Sequence, residues 1–158
     1  MFRLMRRKDK QIPDEAAKRL LTTEKRAVFA VNGDDGYPFA IPVNFVYDEA
    51  AGKIFFHGAK SGHKVDSLRK DDRCCFTVYG NETHVEGQWA PYLESVVVFG
   101  RCALEQDPAE TERRVRELAL KYYPSAEEAE AELRRDLKGV QLYAVTIEHL
   151  TGKRIQER

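Results

Sequence analysis

The sequence predicts a mainly β protein of the α+β class, in which an antiparallel sheet closes into a small barrel and helices pack outside it. The first observation is the order of the segments, because a series of strands is followed by helices and then by one last strand. This order lacks the continuous strand–helix alternation of a doubly wound parallel sheet, and it suits a small antiparallel barrel. The second observation is composition: 158 residues, 42% of them apolar and 33% charged, fit one soluble domain that spans residues 1–158.

The first elements follow from local patterns in the chain. Residues 1–11 form a basic arm that we expect to be solvated, and "IPDEAAKRLLTTEK" predicts a helix in which Pro13 suits the first turn. "RAVFAV" is typical of a strand and "NGDDG" of a turn. We expect "YPFAIPVNFVYD" to form a single strand, and "KIFFHG" to form the next one. The former is predicted at a sheet edge, bent or bulged near Pro42, because neither Pro38 nor Pro42 can donate to a ladder.

The remaining elements are predicted in the same way. "SGHKVDSLRKD" predicts a short helix with Ser61 as its N-cap, and "RCCFTVYG" predicts a fourth strand. The segment "NETHVEGQWAPY" is expected to be a loop, or a loop with a short extended piece. It leads to a long strand, "LESVVVFGRCALEQ", in which Gly100 indicates a bulge or a bend. Two helices, "DPAETERRVRELALKYY" and "PSAEEAEAELRRDLKG", precede the closing strand "VQLYAVTIEHL".

Charge and cysteine content exclude several classes of function. The 26 basic and 26 acidic residues cancel, so the bulk charge favours neither nucleic acid nor an anionic membrane as a partner. The N-terminal segment has no apolar core of signal-peptide length, and no apolar run reaches the length of a membrane-spanning helix. The cysteines, Cys74, Cys75 and Cys102, are odd in number and form no CxxC pair. This usage favours a reducing, cytoplasmic location.

The segment "FFHGAKSGHK", residues 55–64, carries the clearest chemical signal. It joins a strand to a helix through small residues, and Lys60, His63 and Lys64 place cationic donors near the helix N-terminus. An anion such as phosphate is the natural ligand of that arrangement. The spacing does not match the phosphate-binding loop of nucleotide hydrolases, and His57 and His63 have no further ligands at metal-binding spacing. No metal site is therefore predicted, and a solvated surface loop remains the alternative.

Five segments follow one another in a specific order: "AIPVNFVYD", "IFFHGAKSGHKVDSL", "RCCFTV", "YLESVVVFGRCALEQD" and "AVTIEHLTGKRI". Together they resemble the flavin-binding split β-barrel family, which includes proteins like pyridoxamine 5′-phosphate oxidase. The resemblance is closest to the 5-nitroimidazole-resistance (Nim) branch, and it spans roughly residues 12–155. It implies a Greek-key split barrel and a homodimer that binds two FMN molecules at the subunit interface.

The same resemblance implies roles for particular residues. In the family the strand-to-helix segment binds the FMN phosphate, a neighbouring strand lies along the edge of the flavin ring, and the second subunit covers the cofactor. His57 would lie near the ribityl chain or the ring, and it is the candidate catalytic residue. The other residues implied are Lys60, Ser61, His63 and Lys64 for the phosphate, Pro42, Val43 and Asn44 for the ring edge, and Trp89, Tyr92 and Ser95 for the cover.

The resemblance implies a flavin-dependent oxidoreductase or nitroreductase that acts on a small acceptor. Pyridoxamine phosphate oxidases themselves carry an arginine-rich substrate site near the C-terminus, and "TGKRIQER" has no clear match to it. We therefore do not expect a vitamin B6 compound to be the substrate. The alternative is a non-catalytic protein that binds flavin or haem as a store or a sensor.

Overall fold

The computed structural model describes residues 1–155, so the last three residues of the predicted 1–158 domain lie outside the description. Within residues 1–155 the chain forms eight strands and four α-helices. The strands are β1 Gln11–Ile12, β2 Ala27–Asn32, β3 Pro38–Val43, β4 Val46–Asp48, β5 Lys53–Gly58, β6 Arg73–Thr83, β7 Tyr92–Leu104 and β8 Gln141–Ile155. The helices are α1 Asp14–Thr23, α2 His63–Lys70, α3 Pro108–Tyr122 and α4 Ala126–Asp136.

The strands form one antiparallel sheet in the order β3-β2-β6-β7-β8-β5-β4, with β1 paired to β8. The two edge strands, β3 and β4, are consecutive in the chain and are separated only by Asn44 and Phe45. Because so short a connection keeps the ends of the two edge strands close together, the sheet must curl back on itself. The result is the antiparallel split barrel with flanking helices that the sequence predicts.

Aromatic side chains fill the interior of the curled sheet. Phe29, Phe45, Phe56, Phe76 and Tyr143 are fully buried, and each comes from a strand or from the β3–β4 junction. Their rings pack against one another at tilted, edge-on or stacked angles, with centroids 4.7 to 6.4 Å apart, which adds to the free energy of burying them. Alternation along β2, where residues 27, 29 and 31 are buried, follows directly from the two-residue period of a strand.

The α3–α4 hairpin packs on the outside of the sheet around a second, smaller core. Arg114 lies within this packing with its side chain only 8% exposed, and its guanidinium stands 4.1 Å from the centroid of the Phe55 ring. It pairs with Asp48 on β4 and with Glu110 and Glu117 on its own helix, each at 2.8 Å. A single buried cation thereby fastens α3 to the edge of the sheet.

Two expectations about local structure prove wrong. The expected single strand from Tyr37 to Asp48 is two strands, because the chain leaves the ladder at Asn44 and Phe45. Ser61 does not cap α2: the N-cap residue is Gly62, with a positive φ of 121° that glycine tolerates, and no side chain bonds the helix end. The segment "NETHVEGQWAPY" follows the second of its two predicted alternatives, a loop with a short extended piece, because β6 continues to Thr83, which pairs with Tyr92.

The basic arm, residues 1–11, agrees with the prediction in its exposure. Most of its side chains are exposed, as expected, but the arm lies along the sheet rather than apart from it. The Phe2 ring stacks on the ring of His149 with centroids 4.6 Å apart, and Gln11 pairs with Lys153 of β8. The predicted edge position of β3 and the irregularity at Gly100, where the β7–β8 register shifts, are also confirmed.

Replacing Arg114 by leucine is expected to lower the free energy of unfolding by about 3 kcal/mol, because it leaves partly buried carboxylates without their cation. Arg113 is the matched control: it is the neighbouring residue on α3, it pairs with Glu110 and Glu117, and its side chain is 55% exposed. The Arg113→Leu change is expected to cost less than about 1 kcal/mol. Urea denaturation of both variants measures the difference, and equal losses would contradict the anchoring role of Arg114.

Candidate functional site

A cleft of about 430 Å³ opens at the β3–β4 junction. It is lined by Arg26, Ile41, Pro42, Val43, Asn44, His57 and Lys64. Three of these side chains can carry a positive charge, and no carboxylate belongs to the lining within the described residues. The cleft is therefore a cationic site that favours an anionic ligand.

Three separate elements bring these residues together. In the antiparallel β2–β3 ladder Ala27 pairs with Val43. Arg26, just before β2, and Asn44, just after β3, therefore lie side by side at the same end of this strand pair. His57 stands near the end of β5, and Lys64 is in the first turn of α2. The cleft thus depends on the register of the sheet as well as on the local segment that connects β5 to α2.

Lys64 is the most unusual cation of the cleft. Its ammonium lies against the backbone of Gly58, where an added Cβ would stand 2.5 Å from Nζ, and 4.9 Å from the centroid of the Tyr143 ring. Within residues 1–155 it has neither an ion pair nor a hydrogen bond from its Nζ, and burial lowers its pKa from the ordinary lysine value. A partly desolvated charge without a partner gains free energy when an anion arrives.

His57 is the residue of the cleft that can exchange a proton near neutral pH. Burial of the imidazole among other protein atoms lowers its pKa, and the positive charge of Lys64 lowers it further. The carboxylate of Glu132 opposes this shift. Because the pKa falls below the ordinary value of about 6.5, the imidazole is neutral at pH 7. A neutral ring can both donate and accept a hydrogen bond.

A second cavity, the helical pocket, adjoins the cleft beneath the α3–α4 hairpin. Its volume is about 290 Å³, and Asn44 and His57 line both cavities. These two side chains therefore stand between the cationic cleft and the helical pocket. The other residues of its lining are Val115, Leu118, Ala119, Tyr122, Tyr123, Glu132, Leu133, Asp136, Leu137 and Val140.

Tyr122 at the end of α3 holds the junction between β3 and β4. Its hydroxyl accepts a hydrogen bond from the backbone N–H of Phe45 at 2.9 Å and lies 2.7 Å from the carbonyl oxygen of Lys25, to which it donates. Lys121 lies beside it, 4.0 Å from the centroid of the Phe45 ring, and burial lowers the pKa of Lys121 to about 8. The helix thereby satisfies backbone groups that the break in the strand would otherwise leave unpaired.

The structure brings together five of the predicted site residues, Pro42, Val43, Asn44, His57 and Lys64, in the cleft. The other three predicted phosphate ligands lie elsewhere around the same segment. Lys60 donates to the carbonyl oxygen of Lys138 at 2.7 Å, and Ser61 is exposed in the bend before α2. The ring of His63 packs on Phe39 with centroids 4.1 Å apart, so His57 and His63 do not converge on one point.

The predicted cover residues belong to the β6–β7 hairpin. Trp89 is 79% exposed in the connecting loop, and the hydroxyl of Tyr92 donates to the side-chain oxygen of Gln88 at 2.6 Å. Ser95 lies on the outward face of the sheet, opposite Tyr79 of β6. None of the three lines the cleft of its own chain.

Sequence reasoning missed Arg26 and the helical pocket. Arg26 precedes the strand "AVFAVN" and is polar like its neighbour Lys25, so nothing local distinguishes it. The pairing of Ala27 with Val43 could have identified it, because that register places Arg26 beside Asn44. Tyr143 was also missed: its ring underlies Lys64, and its hydroxyl donates to the carbonyl oxygen of Ala59 at 2.7 Å.

Comparison with known proteins identifies the family. The family model described as pyridoxamine 5′-phosphate oxidase matches residues 13–154. The chain belongs to this family. The match covers nearly the whole chain, including both cavities, and it agrees with the resemblance that the ordered segments indicate. A search of curated proteins finds no significant match.

Solved structures of low sequence identity share the fold. A candidate 5-nitroimidazole antibiotic resistance protein from Bacteroides thetaiotaomicron superposes with a TM-score of 0.75 at 17% identity, over 91% of this chain and 86% of that one. A conserved hypothetical protein from Mycobacterium tuberculosis gives 0.78 at 16% identity, over 95% and 90% of the two chains. The flavocytochrome Anf3 from Azotobacter vinelandii gives 0.76 at 18% identity, over 98% and 73%.

Among the helices of residues 1–155, none combines the length and the apolar character that crossing a bilayer demands. The longest is α3, with 15 residues, and it carries charged side chains along much of its length. Its apolar side is already used in packing against the sheet, where Val115, Leu118 and Ala119 are buried.

The His57 imidazole is expected to titrate below the ordinary histidine value of about 6.5. A Lys64→Met change removes the nearby positive charge and part of the cause of the shift, so the pKa of His57 should rise. Lys70→Met, at the far end of the same helix, is the control, because Lys70 pairs with Asp34 on the surface. NMR titration of the ring protons measures all three proteins, and an unchanged His57 pKa in Lys64→Met would exclude the interaction.

Proposed function

We propose that the chain binds FMN in the cationic cleft and acts as a flavin-dependent oxidoreductase of the Nim type on a small acceptor. The observation that carries this proposal is the state of Lys64, whose ammonium is partly buried and has no ion-pair partner among the described residues. Lys64 lines the cleft and belongs to the segment that the family resemblance assigns to phosphate binding. A phosphate would supply the missing counter-charge. When bound, FMN would supply the electron or hydride transfer.

The residues around the cleft suit a flat cofactor with a phosphate tail. Lys64 and Arg26 would bind the phosphate, and the partial positive charge of the α2 N-terminus, which no side chain caps, would add to their attraction. Pro42 and Val43 give an apolar edge, and Asn44 offers an amide that can hydrogen-bond a polar ring edge. His57, neutral at pH 7, would hold or move a proton at the side of the cleft that faces the helical pocket.

The outward face of the sheet supports the proposal of a homodimer. Val97 of β7, Thr77 of β6 and Val28 of β2 lie opposite one another on that face, and Phe99 and Cys75 pair in the next row. Val28 is 40% exposed and Phe99 41%. This row crosses three strands; Val28 and Phe99 are its exposed members and the others are half-buried. Such a patch suits a second copy of the chain. In such a dimer Trp89, Tyr92 and Ser95 are the candidates to cover the partner's cleft.

Purified protein is expected to take up FMN and to retain flavin absorbance through gel filtration. Replacing Lys64 by methionine should weaken FMN binding about tenfold or more, since a charge-assisted hydrogen bond contributes about 1.5–3 kcal/mol. Lys70→Met, which changes charge on the same helix away from the cleft, should bind FMN as the parent does. Fluorescence titration measures the three affinities, and equal values would remove Lys64 from the site.

The same preparation separates the reductase from its alternatives. Oxidation of reduced nicotinamide in the presence of a nitro-aromatic acceptor supports the enzyme, and bound flavin that never cycles supports a store or sensor. A Soret band in the purified protein would favour haem as the ligand, and its solved neighbour from Azotobacter vinelandii is itself described as a flavocytochrome. A colourless protein that gains no flavin absorbance with added FMN would overturn the proposal.

Sedimentation equilibrium is expected to report a dimer. Val28→Glu, which places a charge in the exposed apolar row, should shift the equilibrium to monomer because an unpaired charge at a buried interface is costly. Leu120→Glu is the control: Leu120 is also apolar and is 51% exposed, but it lies on α3. Dissociation by the Leu120 change and not by the Val28 change would place the interface on another surface.

A further inference from the structure

The helical pocket differs from the cleft in the charge of its lining. The cleft is lined by Arg26, His57 and Lys64 and by no carboxylate. The helical pocket is lined by Glu132 and Asp136, and among the described residues no lysine or arginine belongs to its lining. Two adjoining cavities, one lined by basic and the other by acidic side chains, select different groups, and a phosphate-bearing cofactor would account only for the first.

The two carboxylates stand on the same side of α4, four residues apart. Arg135 pairs with both of them, with nitrogen–oxygen distances of 2.5 Å to Glu132 and 3.1 Å to Asp136, and its own side chain is 68% exposed. Its hydrogen bond lowers the pKa of Asp136, which is therefore ionised at neutral pH. Glu132 is also a hydrogen-bond partner of Asp136 and lowers its pKa further. Arg135 itself does not belong to the lining, so the carboxyl oxygens rather than the guanidinium face the cavity.

The rest of the helical pocket is apolar and aromatic. Val115, Leu118 and Ala119 of α3 and Leu133 of α4 form walls that favour a hydrocarbon or ring-shaped body. The rings of Tyr122 and Tyr123 also belong to the lining, and the face of an aromatic ring attracts a cation. The aromatic rings and the carboxylates therefore select for the same charge.

We propose that the helical pocket binds a small apolar molecule that carries a positive charge, such as a protonated aromatic or aliphatic amine. Because Asn44 and His57 line both cavities, a ligand in the helical pocket lies beside a ligand in the cleft. A cationic molecule that also carries a reducible group, such as a nitro group, is thus the acceptor of the flavin site; this assignment rests on the proposed function, whereas the binding preference itself does not.

Three probes of nearly equal size test the charge preference: benzylamine, benzyl alcohol and benzoate. Titrations of the full chain, followed by calorimetry or by protein NMR at neutral pH, are expected to give the order benzylamine, then benzyl alcohol, then benzoate. Glu132→Gln should weaken benzylamine about tenfold and leave benzyl alcohol nearly unchanged. Glu127→Gln is the matched control, with the same loss of charge on the exposed start of α4, outside the pocket.

A second variant tests the location of binding. Ala119→Leu adds bulk to the wall of the helical pocket, where Ala119 is 9% exposed, and it should weaken all three probes together. Equal affinities of the three probes, no binding at all, or equal effects of Glu127→Gln and Glu132→Gln would each overturn the proposal. The Glu132 comparison stands on its own if the Ala119 variant does not fold.

Titrating FMN into the same variants separates this inference from the proposed function. Glu132→Gln should bind FMN as the parent does, and benzylamine should perturb the absorption of flavin bound to the parent. Charge-selective binding of benzylamine by a protein that takes up no FMN would overturn the proposed function and support the pocket. FMN binding without discrimination among the probes would support the proposed function and overturn the pocket.

Discussion

The hydrogen bonds of one tyrosine hydroxyl determine the geometry of the whole site. Tyr122 binds the backbone at Phe45 and at Lys25, and so fixes the junction through which the two edges of the sheet meet. Without a partner for those backbone groups, breaking the strand there would carry the full cost of desolvated amides. Since Asn44 and Arg26 adjoin the two tethered residues, both the cleft and the helical pocket depend on the contact.

Most elements could be predicted from the sequence because strand alternation, turn residues and helix starts are local properties. The break at Asn44 could not, because Phe45 continues the alternating pattern and only the hydroxyl of a residue 77 positions later makes the break stable. The positions of the cationic side chains in residues 55–64 likewise could not be predicted from the local sequence. The family resemblance implies both Lys60 and Lys64 as phosphate ligands, but Lys60 lies before α2 and bonds the carbonyl oxygen of Lys138. That Lys64 lines the cleft follows from its packing on Gly58 and Tyr143. Arg26 could be assigned to the cleft only once the register of the β2–β3 pair was known.

His57 lies at the boundary between two opposite electrostatic environments. Lys64 on the side of the cleft favours the neutral ring, while Glu132 on the side of the helical pocket favours the charged ring. An anion near Lys64 would offset the positive charge of the lysine and so raise the pKa of His57. A cation near Glu132 would offset the negative charge of the carboxylate and so lower that pKa. The protonation of His57 therefore responds to the contents of both cavities, in opposite directions, without any movement of the backbone.

The partly buried ammonium of Lys64 also has a consequence for folding. Its pKa is lower in the folded chain than the ordinary value of the unfolded chain, so its charge costs stability at neutral pH, and this cost disappears as the pH rises through the titration range of the lysine. A neutral side chain at position 64 would not carry this cost in the free energy of unfolding. Under the proposed function, Lys64 is therefore a position at which stability and ligand binding conflict.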